Sequence, residues 1–228
     1  MHIDSTLHDW RIEPREYARQ EARRGRRHAY TRVDPARTAL VVVDMVPFFV
    51  GTNPYARGIV PPINRIAAAL RPAGGLVAWV VPANVAPLGS VSGEFYGPAV
   101  SALFAATGGD GPPRSRLWHD LDVGRGDPVV EKSAHSAFFP GRCRLPELLA
   151  ERGVDTVLIT GTLTNVCCES SARDAATTGL RVVMVADANA AGRDQDHNAA
   201  LHTVYRSFGD VRTTSEVLTL IAGRDRSG

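Results

Sequence analysis

Three residues that together could run nucleophilic hydrolysis stand at the ends of three separate apolar runs. Asp44 closes Thr38-Ala39-Leu40-Val41-Val42-Val43, Lys132 closes Asp127-Pro128-Val129-Val130-Glu131, and Cys167 follows Thr156-Val157-Leu158-Ile159-Thr160-Gly161 through the turn Thr162-Leu163-Thr164-Asn165-Val166. A thiol attacks as its thiolate, a carboxylate can take the thiol proton, and an ammonium can hold both by charge. Each residue alone has a structural alternative. Asp44 could cap a turn, Lys132 could be a surface ammonium, and Cys167 could be a small buried apolar group. Their joint arrival at one edge of a sheet would supply the parts of a nucleophilic hydrolase.

The lysine stands out by its solitude. The chain has 26 basic residues, of which Lys132 is the one lysine and the rest are arginine. A lysine kept in such a background fits a site that needs a compact ammonium, although chance retention at the surface is an equal alternative. Cysteines number three, Cys143, Cys167 and Cys168. An odd set with an adjacent pair is a poor disulfide framework, and no Cys/His spacing suits zinc. With Thr164 or Asn165 as N-cap, Cys167 falls in a first helical turn, where the helix dipole and unpaired amides favour a thiolate and a developing oxyanion. Cys168 is rotated about 100° around that helix and is expected in the core.

The elements that must carry these residues alternate. Buried strands are expected at 38–44, 76–81, 127–132, 156–161 and 181–187, with an edge strand at 211–214. Helices are expected at 61–70, 97–106, 145–152, 166–178 and 196–208, and a short final one from Ser215 or Glu216. Strands alternating with helices predict an α/β domain: a three-layer αβα architecture around a central, mostly parallel sheet of Rossmann-like topology. Ligands of such sheets bind beyond the carboxyl ends of the strands. Candidate pocket residues near those ends are Phe48, Phe49, Asn84, Tyr96, Trp118 and His135, each with a packing role as the alternative. Tyr96 and Trp118 fall in the long stretch 82–126, the expected source of selectivity.

The order and spacing of three blocks resemble the isochorismatase-like cysteine hydrolases, in the branch of N-carbamoylsarcosine amidases and streptothricin hydrolases. The blocks are Ala39-Leu40-Val41-Val42-Val43-Asp44-Met45, then Val130-Glu131-Lys132 with Ser136-Ala137-Phe138, then Ile159 to Ser170 continuing through Ala172-Arg173-Asp174-Ala175. The third is the most specific, and the likeness covers residues 37–222. It implies a catalytic triad of Asp44, Lys132 and Cys167, a non-proline cis peptide at Thr162–Leu163, and an oxyanion hole at the amides of Leu163 and Cys167. Nicotinamidases of the family carry an Asp-His-His metal site after the second strand. Here Val81-Pro82-Ala83-Asn84-Val85-Ala86-Pro87 offers neither histidine nor carboxylate. No metal and no cofactor are therefore expected. True isochorismatases lack the cysteine, so Cys167 argues for attack on a carbonyl. The resemblance implies a metal-independent cysteine hydrolase that cleaves a C–N bond of a small amide, ureide or lactam through a thioester. The alternative is an inactive homologue that serves as a binding or assembly module.

Composition sets the outer limits. The 228 residues allow one large domain with an appendage, read as an N-terminal extension over 1–36 and a hydrolase domain over 37–228. Pro14 to Arg27 could form a charged helix with a thin apolar face, either wrapping the domain or a neighbour, or simply solvated. A net charge of +2 gives no reason to expect nucleic acid as a partner. Apolar runs are too short for a membrane span, and the start does not read as a secretory signal. A cytoplasmic protein with a small-molecule substrate is expected, assembled as a homo-dimer or homo-tetramer by the family likeness.

Overall fold

The computed structural model describes residues 5–86 and 88–223. Residues 1–4 of the extension and its expected non-secretory start, Pro87, and the chain end at 224–228 lie outside the described residues.

Six strands form one sheet in the order β3-β2-β1-β4-β5-β6. They are β1 (Thr38–Val43), β2 (Leu76–Pro82), β3 (Val129–Lys132), β4 (Thr156–Thr162), β5 (Arg181–Ala190) and β6 (Asp210–Arg212). Every neighbouring pair is parallel, so the sheet is wholly rather than mostly parallel. Parallel strands need crossovers that cover both faces, which explains the unbroken apolar runs. All of β1, β2 and β4 is buried.

The two faces carry separate cores. Val41, Val43 and Ile159 pack with Leu145 and Leu149 of α7 (Leu145–Glu151), Ala172 and Ala175 of α8 (Glu169–Thr177), and Leu201 and Val204 of α9 (Asp194–Ser207). Leu40, Val42 and Leu158 pack with Ile63, Ile66 and Leu70 of α4 (Val60–Leu70) and Val217 and Ile221 of α10 (Thr214–Ile221). Adjacent residues of one strand thus belong to opposite layers, as the two-residue strand period requires. Short helices α2 (Pro47–Val50) and α3 (Pro54–Gly58) follow β1 directly. The stretch after β2 carries a further short helix, α5 (Ser92–Tyr96), and then the helix expected over 97–106 as α6 (Pro98–Ala105). Gly97 at φ 81° separates the two, and Pro98 opens the second.

Strand order reverses between β1 and β4. The chain works outward from β1 to β3, then returns to β4 and works outward on the other side. A crevice opens at such a switch point beyond the carboxyl ends. Gly161 allows the approach there: it has φ 111°, and a Cβ on it would stand 2.1 Å from the Val43 carbonyl oxygen. The β4–β5 register shifts between Ile159 and Gly161. Buried Asn189 takes up the freed backbone by donating to the carbonyls of Ile159 (2.9 Å) and Val185 (2.7 Å).

The N-terminal segment lies on its own chain. In α1 (Pro14–Arg24), Pro14 opens the helix and Gly25 closes it at φ 74°. The buried residues of α1 are polar, Glu16 and Gln20, one helical turn apart. Gln20 donates to the carbonyls of Tyr205 and Arg206 at the end of α9. A polar docking face explains why the apolar face looks thin in the sequence.

Candidate active site

Asp44 sits one residue past β1 in the left-handed region, at φ 52°. Asp is among the few side chains that tolerate that region, and such strain persists where surroundings enforce it. Here the Asp44 amide donates to Val80 O (2.9 Å), and Thr162 Oγ1 donates to Asp44 O (2.8 Å). Its carboxylate is 1% exposed. Lys132 ends β3, and its carbonyl accepts from the Ala83 amide at 2.7 Å. Lys132 Nζ lies 2.8 Å from Asp44 Oδ2 and donates to Ala134 O (3.1 Å) and toward Cys167 Sγ (3.4 Å). Asp44 Oδ1 is buried and accepts no hydrogen bond among the described residues.

Cys167 belongs to a single π-helical turn, Thr164–Cys168, that precedes α8. The Cys168 amide closes it by donating to Leu163 O at 3.2 Å. Single π turns in helices often mark functional positions. The turn corrects the expected cap: neither Thr164 nor Asn165 caps the helix through its side chain. Thr164 Oγ1 is instead hydrogen-bonded to His197 Nδ1 at 2.9 Å. The His197 ring stacks on His8 at 4.2 Å, and His8 stacks on Tyr55 at 3.8 Å. The Ala191 amide donates to His8 Nε2 (3.0 Å), so Nδ1 carries the proton shared with Asp194 Oδ1 (2.6 Å). The N-terminal segment thus reaches the start of the Cys167 turn through two stacked imidazoles. Sequence spacing gave no sign of this. The Thr162–Leu163 peptide is cis. Cys168 is fully buried and points its sulfur at Thr160 O, a core role.

Electrostatics at Cys167 oppose the thiolate that a helix start favours. Burial, and next the Asp44 carboxylate, push the Cys167 thiol up to about 12, although the Lys132 ammonium opposes them. Burial would lower the lysine, but Asp44 and Cys167 outweigh it and hold the ammonium above its ordinary range. Burial and the neighbouring carboxylate thus favour the neutral thiol beside the Asp44–Lys132 ion pair. Burial, with Lys132 adding to it, keeps His135 below the ordinary imidazole range.

A cavity of about 240 Å³ opens over these groups, with Asp44, Lys132, Leu163 and Cys167 in its lining. Of the expected pocket residues it includes Phe49, Tyr96 and His135. Phe48, Asn84 and Trp118 do not line it. Phe48 turns outward at 36% exposure and packs edge-on against Phe49. Asn84 Nδ2 donates to Gly109 O (2.8 Å), bracing the loop after α6. Trp118 donates its amide to Met45 O (2.8 Å) and packs against the α4 face of the sheet. The lining also holds Val85, Phe104, Thr107, Ser133 and Val166, which motif reading passed over. Val85, Phe104 and Thr107 arrive from the 82–126 stretch, where apolar identity alone cannot separate cavity wall from core. Among the described residues, no group of three or more His, Cys, Asp or Glu side chains is placed to hold a metal ion.

Comparison with known proteins places this geometry. Residues 38–216 match the isochorismatase domain family. The ureidoacrylate amidohydrolase RutB of Pseudomonas savastanoi pv. phaseolicola (strain 1448A / Race 6) is 30% identical over 213 residues, spanning 82% of this chain and 85% of the relative. A crystal structure of a cysteine hydrolase from Pseudomonas syringae pv. phaseolicola 1448A superposes with a TM-score of 0.74 at 29% identity, covering 86% of this chain and 97% of the other. The N-carbamoylsarcosine amidase of Thermoplasma acidophilum gives a TM-score of 0.63 at 28% identity, with 78% and 96% covered. With the domain match spanning most of its length and relatives named as amidohydrolases, the chain belongs to the isochorismatase family and is a hydrolase.

Proposed function

We propose that the chain cleaves the C–N bond of a small amide or ureide through a thioester on Cys167, with no metal ion. One observation carries the reading: a carboxylate, an ammonium and a thiol meet, buried, in a cavity whose walls are mainly apolar.

The thiol is the resting form, so proton removal accompanies attack. Asp44 accepts the Cys167 proton as sulfur bonds to the carbonyl carbon; its unpartnered Oδ1 has the free lone pair. Lys132 stays protonated, balancing the carboxylate before transfer and the sulfur's developing charge during it. The carbonyl oxygen, now an anion, rests on the amides of Leu163 and Cys167. Asp44 then gives its proton to the departing nitrogen, the C–N bond breaks, and amine or ammonia leaves a thioester. Water gives a proton to Asp44 and attacks that thioester. The C–S bond breaks, the acid product departs, and the sulfur regains the proton from Asp44.

The test is mass spectrometry of a panel of N-carbamoyl amino acids, primary aryl amides, ureides, cyclic imides and lactams, with Cys167→Ala alongside. A substrate gaining the elements of water, with an acyl adduct trapped on Cys167, supports the reading. Turnover that persists in Cys167→Ala would sink it.

A further inference from the structure

We infer that the acyl group this cavity accepts is uncharged and apolar, about the size of one aromatic ring; the inference rests on the amidohydrolase reading and adds its substrate class. The walls around the reacting groups are Phe49, Val85, Tyr96, Phe104, Leu163 and Val166. Tyr96 and Phe104 meet edge to face, with centroids 5.0 Å apart, and present a continuous aromatic surface. A volume of about 240 Å³ falls below the ~300–1,000 Å³ of sites for drug-sized ligands.

Cations decide the charge of the ligand. Among the described lining residues Lys132 is the one fixed cation, and Asp44 already neutralises it at 2.8 Å. The remaining polar lining groups, Thr107, Ser133 and His135, carry no fixed positive charge. Arg116 is not part of the lining; its guanidinium lies near Gly108 and is paired with Glu131 at 2.5 Å. Arg142 is turned onto Ser133, donating to its Oγ at 2.7 Å, and lines a separate cleft that shares Ala134 and His135 with the cavity. A carboxylate drawn into the cavity would lose its water without gaining a counter-ion, which is strongly unfavourable. An apolar ring would cover apolar walls.

The probes are benzamide and 4-carbamoylbenzoate, which differ only by the carboxylate on the ring. Binding is measured by calorimetry on Cys167→Ala protein, and hydrolysis on the unaltered enzyme. Benzamide is expected to bind, and its kcat/KM to exceed that of the anion by at least about 100-fold. Val85→Arg, at the half-exposed rim, is expected to narrow that ratio by about tenfold or more by supplying the missing cation. Equal or better use of the anion, with an acyl adduct on Cys167, overturns the inference and leaves the amidohydrolase reading standing; it would point to Arg142. Benzamide bound selectively but never hydrolysed supports the inference and counts against the cysteine mechanism. Failure of Cys167→Ala protein to bind benzamide overturns the inference outright.

Discussion

Asp44 and Lys132 form a 2.8 Å ion pair although their strands never touch: β2 lies between β1 and β3. Neighbouring strands stand about 4.8 Å apart, so the pair spans roughly 10 Å of sheet. The left-handed turn at Asp44 and the length of the lysine side chain close that distance. Both groups are nearly fully buried, at 1% and 4% exposure, so each is costly without the other.

Lys132→Met is therefore expected to lower stability by about 3–5 kcal/mol, because it strands a buried carboxylate. Urea titration would read the loss, and Asp44→Asn added to Lys132→Met should recover part of it. Lys132→Arg keeps the charge, but its planar guanidinium needs room that a 4%-exposed site lacks. Its turnover is expected to fall about 1,000-fold or more. Near-normal rates would refute the need for a compact ammonium.

Asp44→Asn separates reactivity from catalysis. Besides burial, the Asp44 carboxylate is what raises the Cys167 thiol, and Lys132 opposes it. With the carboxylate gone and the ammonium retained, the thiol pKa should fall. Alkylation of Cys167 by iodoacetamide at pH 8 should then speed up while amide turnover stops. A slower alkylation would contradict the assigned charges.

Stability should decline at both ends of the pH range, with opposite signs. Burial drives His197 down to about 3 from 6.5, so its contribution is full above pH 6.5 and is lost as pH falls toward 3. Cys167 keeps its proton to about 12 in the folded chain, against 9.0 for a free thiol. Its contribution is full below pH 9 and is lost as pH rises toward 12. In urea titrations across pH, Cys167→Ala should flatten part of the alkaline decline and leave the acid limb unchanged.

Gly161→Ala should prevent folding. The new Cβ would stand 2.1 Å from Val43 O and 2.7 Å from Val43 N, both backbone atoms of the paired central strand. Circular dichroism of the soluble fraction would check this, and a folded variant would show that β1 and β4 can separate at the switch point.

His8→Ala should weaken the N-terminal segment and the Cys167 turn together. It removes the acceptor of the Ala191 amide and the ring stacked between Tyr55 and His197. The cost is about 1–3 kcal/mol for the unsatisfied buried amide. Hydrogen exchange should rise at residues 164–168 as well as at 5–13; a rise confined to the N-terminal segment would show that the stacked rings do not hold the turn.

The sequence alone determined the sheet and the edge of it at which the candidate site residues gather. Unbroken apolar runs require strands buried on both faces, and helices between them require parallel crossovers, so the carboxyl ends had to share one edge. Asp44, Lys132 and the Cys167 turn were legible because each closes such a run. Tertiary structure decided what depends on distant partners. Whether Phe48 or Phe49 faces the cavity depends on how α2 turns, and Trp118 was drawn instead against the α4 face of the sheet. The polar face of α1 is invisible to hydrophobic periodicity, because α9 supplies its partners through backbone carbonyls. The thiol's proton was decided the same way. A helix start favours a thiolate locally, but burial beside a carboxylate outweighs that preference, and burial is a property of the assembled fold.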